Sequence, residues 1–305
     1  MDLTLAMKSF VRVVETGSFS AVAREIGSTQ PAVSKHIAWL EQHLGSRLME
    51  RTTRKLSLTQ EALQYYQRAR EILENIEDAE RLVRRGRSEI TGVLRIACSV
   101  GFGRFQVVPR LKSFLDSHPQ LRIDLRMSDA VVDLLEEGID VAIRIGELPD
   151  SGFIARRVGM TARAVVARPS YLVGRKLPRK PSDLAEHECV VYSGLATRNE
   201  WHFDGPGGGE SVRVSGRFEV NSSEGVREAV LAGLGVGFSP VWLFADEMRA
   251  NTLRVLLPNY RAVPLPIHGV SPSSRRFSAK IKALLDYLEA EYALDPYVSA
   301  YGQDR

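Results

Sequence analysis

The sequence predicts an α plus α/β chain: a small helical head with a short hairpin, a long helical rod, and two α/β lobes. Three observations carry this. Before residue 59, apolar residues recur at helical spacing in short runs broken by Gly17, Gly27 and Gly45. Between Thr59 and Ser88 there is no Pro, and no Gly until Gly86. From Gly92 onward, strand and helix patterns alternate.

The 305 residues include 41 Lys+Arg, 37 Asp+Glu, two Cys, 44% hydrophobic and 26% charged residues, which excludes a collagenous, low-complexity or wholly disordered chain. At ~100–200 residues per domain, two or three compact units fit the length. Two cysteines cannot staple such a chain, and no CxxC or HxxxH spacing occurs, so neither a metal nor a cofactor is expected. Asp2, Lys8, Arg12 and Glu15 interrupt any signal-peptide core. The longest weakly charged run, Ala229 to Ala245, contains Gly233, Gly235, Gly237 and Pro240 and falls short of the ~20 residues of a bilayer span. A cytoplasmic chain without a membrane partner is expected. Within residues 1–59, eight bases face five acids, and half of those bases lie between Arg47 and Lys55. That loop reads either as a footprint on phosphates or as a solvated surface loop, and charge alone favours the second.

Taken in order, Leu3, Met7, Phe10 and Val14 mark one face of a first helix that ends at Gly17. Ser18 or Ser20 can cap a second helix through Ala21, Val22, Ala23 and Ile26, stopped by Gly27. Ser28 or Thr29 can cap a third, with Pro31 in its first turn. Its apolar face is Val33, Ile37, Leu40 and Leu44, and its opposite face is Gln30, Pro31, Ser34, Lys35 and Ala38. Two short helices about a tight Gly turn, the second with a small, hydrogen-bonding face, make a helix-turn-helix. Gln pairs with an adenine edge, while Ser and Lys reach bases or phosphates. A helical bundle with a polar outer face gives the same pattern. Leu56 and Leu58 alternate with polar residues after Arg51, Thr53 and Arg54, as in a hairpin, so the head reads as a winged helix-turn-helix.

These residues resemble the LysR-type transcriptional regulators. The likeness is strongest from Phe10 through Thr59, in "GSFSAVA", "TQPAVSKHI" followed by "LE" and "LG", and the "R…R…LT" wing. Met49 stands where that family usually has Phe, and Ala62 where Gly is common; Ala is better than Gly inside a helix by ~1 kcal/mol. With the resemblance, the expected DNA contacts are Ser20, Ser28, Thr29, Gln30, Pro31, Ala32, Ser34, Lys35, His36, Arg51, Thr53 and Arg54.

The rod carries an apolar stripe of Ala62, Tyr65, Tyr66, Ala69, Ile72, Leu73, Ile76, Ala79 and Val83, and Ser57 and Gln60 have capping-box spacing at its start. Such a stripe must find a partner, either a second copy or its own domain. The resemblance implies a linker helix that dimerises through Tyr65, Ala69, Ile72, Ile76 and Val83.

Beyond Gly92 the expected order is a strand at 93–97, a helix at 107–117, a strand at 121–127, a helix at 131–137 and a strand at 141–145, a parallel βαβαβ unit. A second such unit spans roughly 164–266, with strands near 164–167, 189–192 and 236–238 and a helix at 224–232. The chain returns through 267–270 to a last helix at 277–291. Two lobes joined by crossing strands leave a cleft at the strand ends. Strand ends supply the candidates Ser99, Val100, Gly101, Phe102, Ser128, Asp129, Arg144, Ile145, Thr197, Arg198, Trp201, Asn221 and Ser222. Arg144 could clamp a carboxylate or form a salt bridge within its lobe. By resemblance this part is a two-lobed, periplasmic-binding-protein-like effector domain, and the likeness continues through "GVLRIACS", "DVAIRIGELPDSGFIARRVG" and "EAVLAGLGVGFSP".

The expected division is a DNA-binding head at 1–59, a linker helix at 60–88 and an effector domain at 92–305, its first lobe about 92–163 with 267–292 and its second about 164–266. An enzyme is the competing class. None of the Gly-rich pieces has P-loop or GxGxxG order, no GxSxG elbow exists, and no catalytic set emerges. A purely architectural DNA-binding protein would need no ligand cleft. The expected partners are double-stranded promoter DNA, a small-molecule effector compatible with an anion, further copies in a homodimer or homotetramer, and RNA polymerase.

Overall fold

A computed structural model of the protein describes residues 1–51, 56–83, 90–148, 152–194, 199–272 and 278–299, with 50–51, 56–57, 74, 77–78 and 81–83 as backbone only. The chain divides into two compact units, Met1–Ser88 and Glu89–Arg305.

The first unit runs α1 (Leu3–Thr16), α2 (Phe19–Glu25), α3 (Gln30–Leu44), β1 (Met49–Arg51), β2 (Leu56–Leu58) and α4 (Gln60–Val83). Its caps are local chemistry. Asp2 Oδ1 accepts the Thr4 N–H (2.8 Å) and Ser18 Oγ that of Ala21 (3.2 Å), while Gly17 and Gly45 close α1 and α3 in the left-handed region. Ser20 therefore caps nothing, and Thr59 rather than Ser57 starts α4. The Thr59 hydroxyl accepts from Ala62 N (3.1 Å) and donates to Arg47 O (3.0 Å). Met7, Phe10, Val33, Ile37 and Leu40 are buried as the spacing predicts. Leu3 and Leu44 are exposed, because each lies at a helix end and overhangs the neighbouring helices.

β1 and β2 pair antiparallel in the expected hairpin. Glu41 Oε1 fixes the entry to it by accepting the N–H groups of Leu48 (2.8 Å) and Met49 (3.1 Å). Replacing Glu41 by alanine would strand two donors beside the buried Leu48, so Glu41→Ala should lower the unit's stability by about 1–3 kcal/mol in urea denaturation. An unchanged midpoint would show that water replaces the carboxylate.

The root of α4 belongs to this core: Ala62, Ala69 and Leu73 are buried with Phe10, and Tyr65 and Tyr66 pack against them. Of the stripe expected to dimerise, Tyr65 and Ala69 thus face their own domain. Ile72 is 47% exposed, Ile76 is half-buried, and the Val83 side chain lies outside the described residues. The stripe splits because Ile72 lies on a side of α4 that the core holding Ala69 and Leu73 leaves uncovered. A polar network ties the same helices. Arg12 forks onto Glu25 (2.7 and 2.8 Å) and also pairs with Glu15, which accepts the Tyr66 hydroxyl (3.2 Å) and lies 4.0 Å from Arg70. The bonds to Glu25 and Glu15 hold the Arg12 guanidinium above its usual pKa against the opposing effect of burial.

The second unit runs β3 (Gly92–Cys98), α5 (Val100–Phe102), a π turn (Gly103–Val107), α6 (Val108–Asp116), β4 (Leu121–Met127), β5 (Val141–Ile145), β6 (Phe153–Thr161), β7 (Arg163–Ala167) and α7 (Pro169–Leu172). It continues through β8 (Val190–Tyr192), β9 (Glu200–Gly205), β10 (Gly208–Arg213), β11 (Phe218–Val220), α8 (Ser223–Leu231), β12 (Gly237–Pro240), α9 (Ala245–Arg249), β13 (Arg254–Leu256), β14 (Leu265–Pro272) and α10 (Ala279–Ala293). The first lobe's sheet has the order β4-β3-β5-β14-β6, with β3 parallel to β4 and β5, and β14 antiparallel to β5 and β6. The chain therefore crosses between lobes twice, after β6 and before β14. α10 seals the sheet with Leu284, Leu285, Leu288 and Tyr292, all fully buried.

Two expectations fail here, and one is extended. Residues 131–137 form no helix: the Asp133 carboxylate accepts from Leu135 (2.8 Å) and Glu136 (3.1 Å), and the turn ends at Gly138. Asp binds its own neighbours' N–H groups too readily for so short a segment to propagate. The helix expected at 107–117 is present as α6 (Val108–Asp116), and helical backbone extends ahead of it as a π turn before Pro109, whose missing N–H would interrupt an α ladder. The second lobe is not a parallel βαβαβ unit. It comprises an antiparallel β12-β7-β13 sheet, a parallel β11-β8 pair and the β9–β10 hairpin.

Candidate DNA-binding and effector sites

On α3, Val33, Ile37 and Leu40 are buried, while Gln30, Pro31, Lys35 and Ala38 are exposed, as are Ser28 and Thr29 just before it. Ala32, Ser34 and His36 are half-buried. Thr29 occupies the N-cap, yet its hydroxyl makes no capping bond. The first turn of α3 thus offers N–H groups without a side-chain cap, a favourable end for a phosphate. His36 is committed elsewhere. Ser9 Oγ donates to Leu5 O (2.9 Å) and so accepts from His36 Nδ1 (2.8 Å), which ties the imidazole to α1. Ser20 is exposed on α2. The Arg51 backbone lies in β1, whereas Thr53 and Arg54 fall outside the described residues.

In the second unit, a cavity of about 520 Å³ opens between the lobes. The first lobe contributes Ser99, Ser128, Asp129, Arg144 and Ile145; the second contributes Arg163, Tyr192, Trp201, Ser223 and Phe238. Of the residues expected from strand ends, Ser99, Ser128, Asp129, Arg144, Ile145 and Trp201 are brought together there, and Thr197 and Arg198 lie outside the described residues. Val100, Gly101, Phe102, Asn221 and Ser222 do not line it. Phe102 is fully buried with its ring edge-on to Trp242 (5.2 Å) and Tyr292 (6.0 Å), because the helical turn after β3 aims it into the core. Gly101 is where the lobes meet: a Cβ there would fall 2.5 Å from Ser223 Oγ. Ser222 caps α8 through Gly225 N (3.4 Å), and Asn221 is exposed.

Charge is unevenly placed in this cavity. Asp129 Oδ1 accepts the Val100 N–H (3.1 Å), so an internal carboxylate already occupies the start of α5. Burial, with a smaller push from Asp129, drives the Cys98 thiol up to about 12 and raises the Tyr192 phenol. Both groups stay protonated at neutral pH, which leaves Cys98 without thiolate reactivity. Burial also pushes the Cys189 thiol up to about 12. Arg144 is half-buried and donates to Val132 O (3.4 Å). Sequence reasoning missed the capping role of Asp129, together with Arg163, Tyr192, Ser223 and Phe238.

A helix-turn-helix beside a hairpin, followed by a two-lobed domain with a central cavity, invites comparison with known proteins. Residues 5–63 match the bacterial regulatory helix-turn-helix protein, lysR family, and residues 87–293 match the LysR substrate binding domain. The chain belongs to the LysR family of transcriptional regulators. The HTH-type transcriptional regulator YhjC of Escherichia coli K12 is 36% identical over 290 residues, covering 94% of this chain and 97% of that protein. The HTH-type transcriptional repressor PA14_22550 of Pseudomonas aeruginosa is 32% identical, with 98% and 95% covered. The HTH-type transcriptional activator AaeR of Escherichia coli K12 is 30% identical, with 94% and 93% covered. Among solved structures, CrgA of Neisseria meningitidis, a LysR-type regulator, superposes with a TM-score of 0.62 at 31% identity, covering 94% of this chain and 97% of that one. This LysR-type chain is a DNA-binding transcriptional regulator with an effector-binding domain, not an enzyme.

Proposed function

We propose that the protein reads promoter DNA in the cytoplasm as a dimer or tetramer, placing the exposed face of α3 in the major groove and the wing along the backbone. The carrying observation is the sidedness of α3, with Gln30 and Lys35 exposed opposite buried Val33, Ile37 and Leu40. Two copies would present two such helices to half-sites about one DNA turn apart. Ile72, exposed on the side of α4 away from the core residues Ala69 and Leu73, is the residue best placed to meet a second copy. A small molecule in the cavity between Ser99, Ser128 and Arg144 on one lobe and Trp201 on the other would change the promoter complex. To do so it must bind one lobe geometry better than another.

The wing supplies the test. Replacing Arg51 and Arg54 together by alanine should weaken specific and nonspecific DNA alike. The slope of log K against log salt should flatten by roughly 0.9 for each phosphate that an arginine no longer neutralises. Fluorescence anisotropy over a salt series measures this. An unchanged slope with lowered specificity would make these arginines base readers.

A further inference from the structure

The cavity of the second unit is lined by a partly buried cation whose Nε has no partner. Several arginines of this unit meet acids: Arg110 meets Asp295 (2.6 Å), Arg126, also on the cavity lining, meets Asp124 and Glu137 (both 3.5 Å), and Arg227 pairs with Glu247 and Glu228, while Arg144 on the lining donates to Val132 O (3.4 Å). Among the described residues Arg163 forms no ion pair; one Nη donates to Val263 O (3.3 Å), its guanidinium lies over the Phe238 ring (4.6 Å), and its Nε is buried with no partner. Ser223 Oγ, on the same cavity wall, is also buried without a partner. Burial pushes the Arg163 pKa down from its usual value, as expected of a cation withdrawn from water without an anion.

We propose that Arg163 is the anchor for a small organic anion, a carboxylate, whose apolar body lies against Phe238 and Trp201. This rests on the effector reading above and narrows it to a ligand class and an anchoring residue. Asp129 on the first lobe's lining disfavours such a charge beside it, since its carboxylate already takes the Val100 N–H and would repel a second carboxylate. A guanidinium offers a planar fork matched to carboxylate oxygens, and its attraction is strong where water is scarce. Its position gives the binding a consequence. Arg163 opens β7 just after the first crossing between lobes, and its carbonyl partner Val263 lies just before β14 on the second. An anion drawn onto this guanidinium competes with Val263 O and acts on both crossing segments.

The test uses the full-length protein and matched probes: benzoate, cinnamate and hexanoate against benzamide, cinnamamide and hexanamide. Each is titrated by thermal shift and calorimetry into wild type, Arg163→Met and Arg163→Lys. The carboxylates should bind wild type at least about tenfold tighter than the amides, the range of a charge-assisted contact. Arg163→Met should erase that preference while melting, without ligand, no lower than wild type, because an uncompensated buried charge has been removed. If Arg163→Met fails to fold, Arg163→Lys, which keeps the charge but loses the fork, should lower the preference at least threefold. Amides binding as well as carboxylates, or either variant keeping the full preference, would overturn the anchor and leave the effector cavity standing. If no carboxylate binds wild type, the anion class is wrong; binding of a neutral or cationic compound to the cavity would then keep the effector reading without this one.

Discussion

A Ser34→Ala, Lys35→Ala double variant should lose specific DNA binding by tenfold at the least, while its N-terminal unit melts at the wild-type temperature. Each good base contact contributes about 1–3 kcal/mol; Lys35 is exposed on the side of α3 away from Val33, Ile37 and Leu40, and Ser34 is half-buried on its flank. Neither side chain belongs to the apolar core of this unit. Anisotropy with promoter and scrambled duplexes, alongside circular dichroism melts, separates reading from folding. Specific affinity that stays within twofold of wild type would move the reading head off α3.

Ile72→Asp and Ala69→Asp should fail in different ways, although they lie three residues apart on one helix. Ala69 is fully buried in the head's own core, so an aspartate there must shed its hydration without a partner, at several kcal/mol, and should unfold the unit. Ile72 is 47% exposed, so an aspartate there is tolerated in the isolated chain. It becomes costly only where a second copy covers the position. The expected outcome for Ile72→Asp is a folded monomer by sedimentation whose promoter affinity falls sharply, because each half-site is then bound alone. A variant that sediments like wild type would place the association surface away from the middle of α4.

The first unit was legible because its signals are local. Asp2, Ser18, Gly17 and Gly45 declare helix ends through their own backbone chemistry, and the i, i+4, i+7 spacing declares the faces. What the spacing could not declare was which neighbour meets a face: Ala62, Tyr65, Tyr66, Ala69 and Leu73 form one stripe with Ile72 and Ile76, yet the head's core takes in only the former group. The second lobe was less legible, since antiparallel and parallel strands share the same alternation and their partners are remote in sequence. The cavity divides in the same way. Ser99, Ser128 and Arg144 follow from strand ends, whereas Arg163 opens a strand and resembles surface arginines such as Arg168 until its missing carboxylate is seen in three dimensions. Phe102 misled because the strand-end rule ignores the helical turn that swings it inward.

The network of Arg12, Glu15, Glu25, Tyr66 and Arg70 has a mechanical meaning. It clamps the root of α4 to α1 and α2 with directional bonds, and the tyrosines around Phe10 fill the remaining gap. A joint held at so many points has no swivel. Torque applied to α4 beyond Leu73 must therefore turn the whole head, α3 included, as a wrench turns the bolt it grips. In the dimer proposed above, the angle at which each α3 would meet its groove is then set by the direction of the shaft.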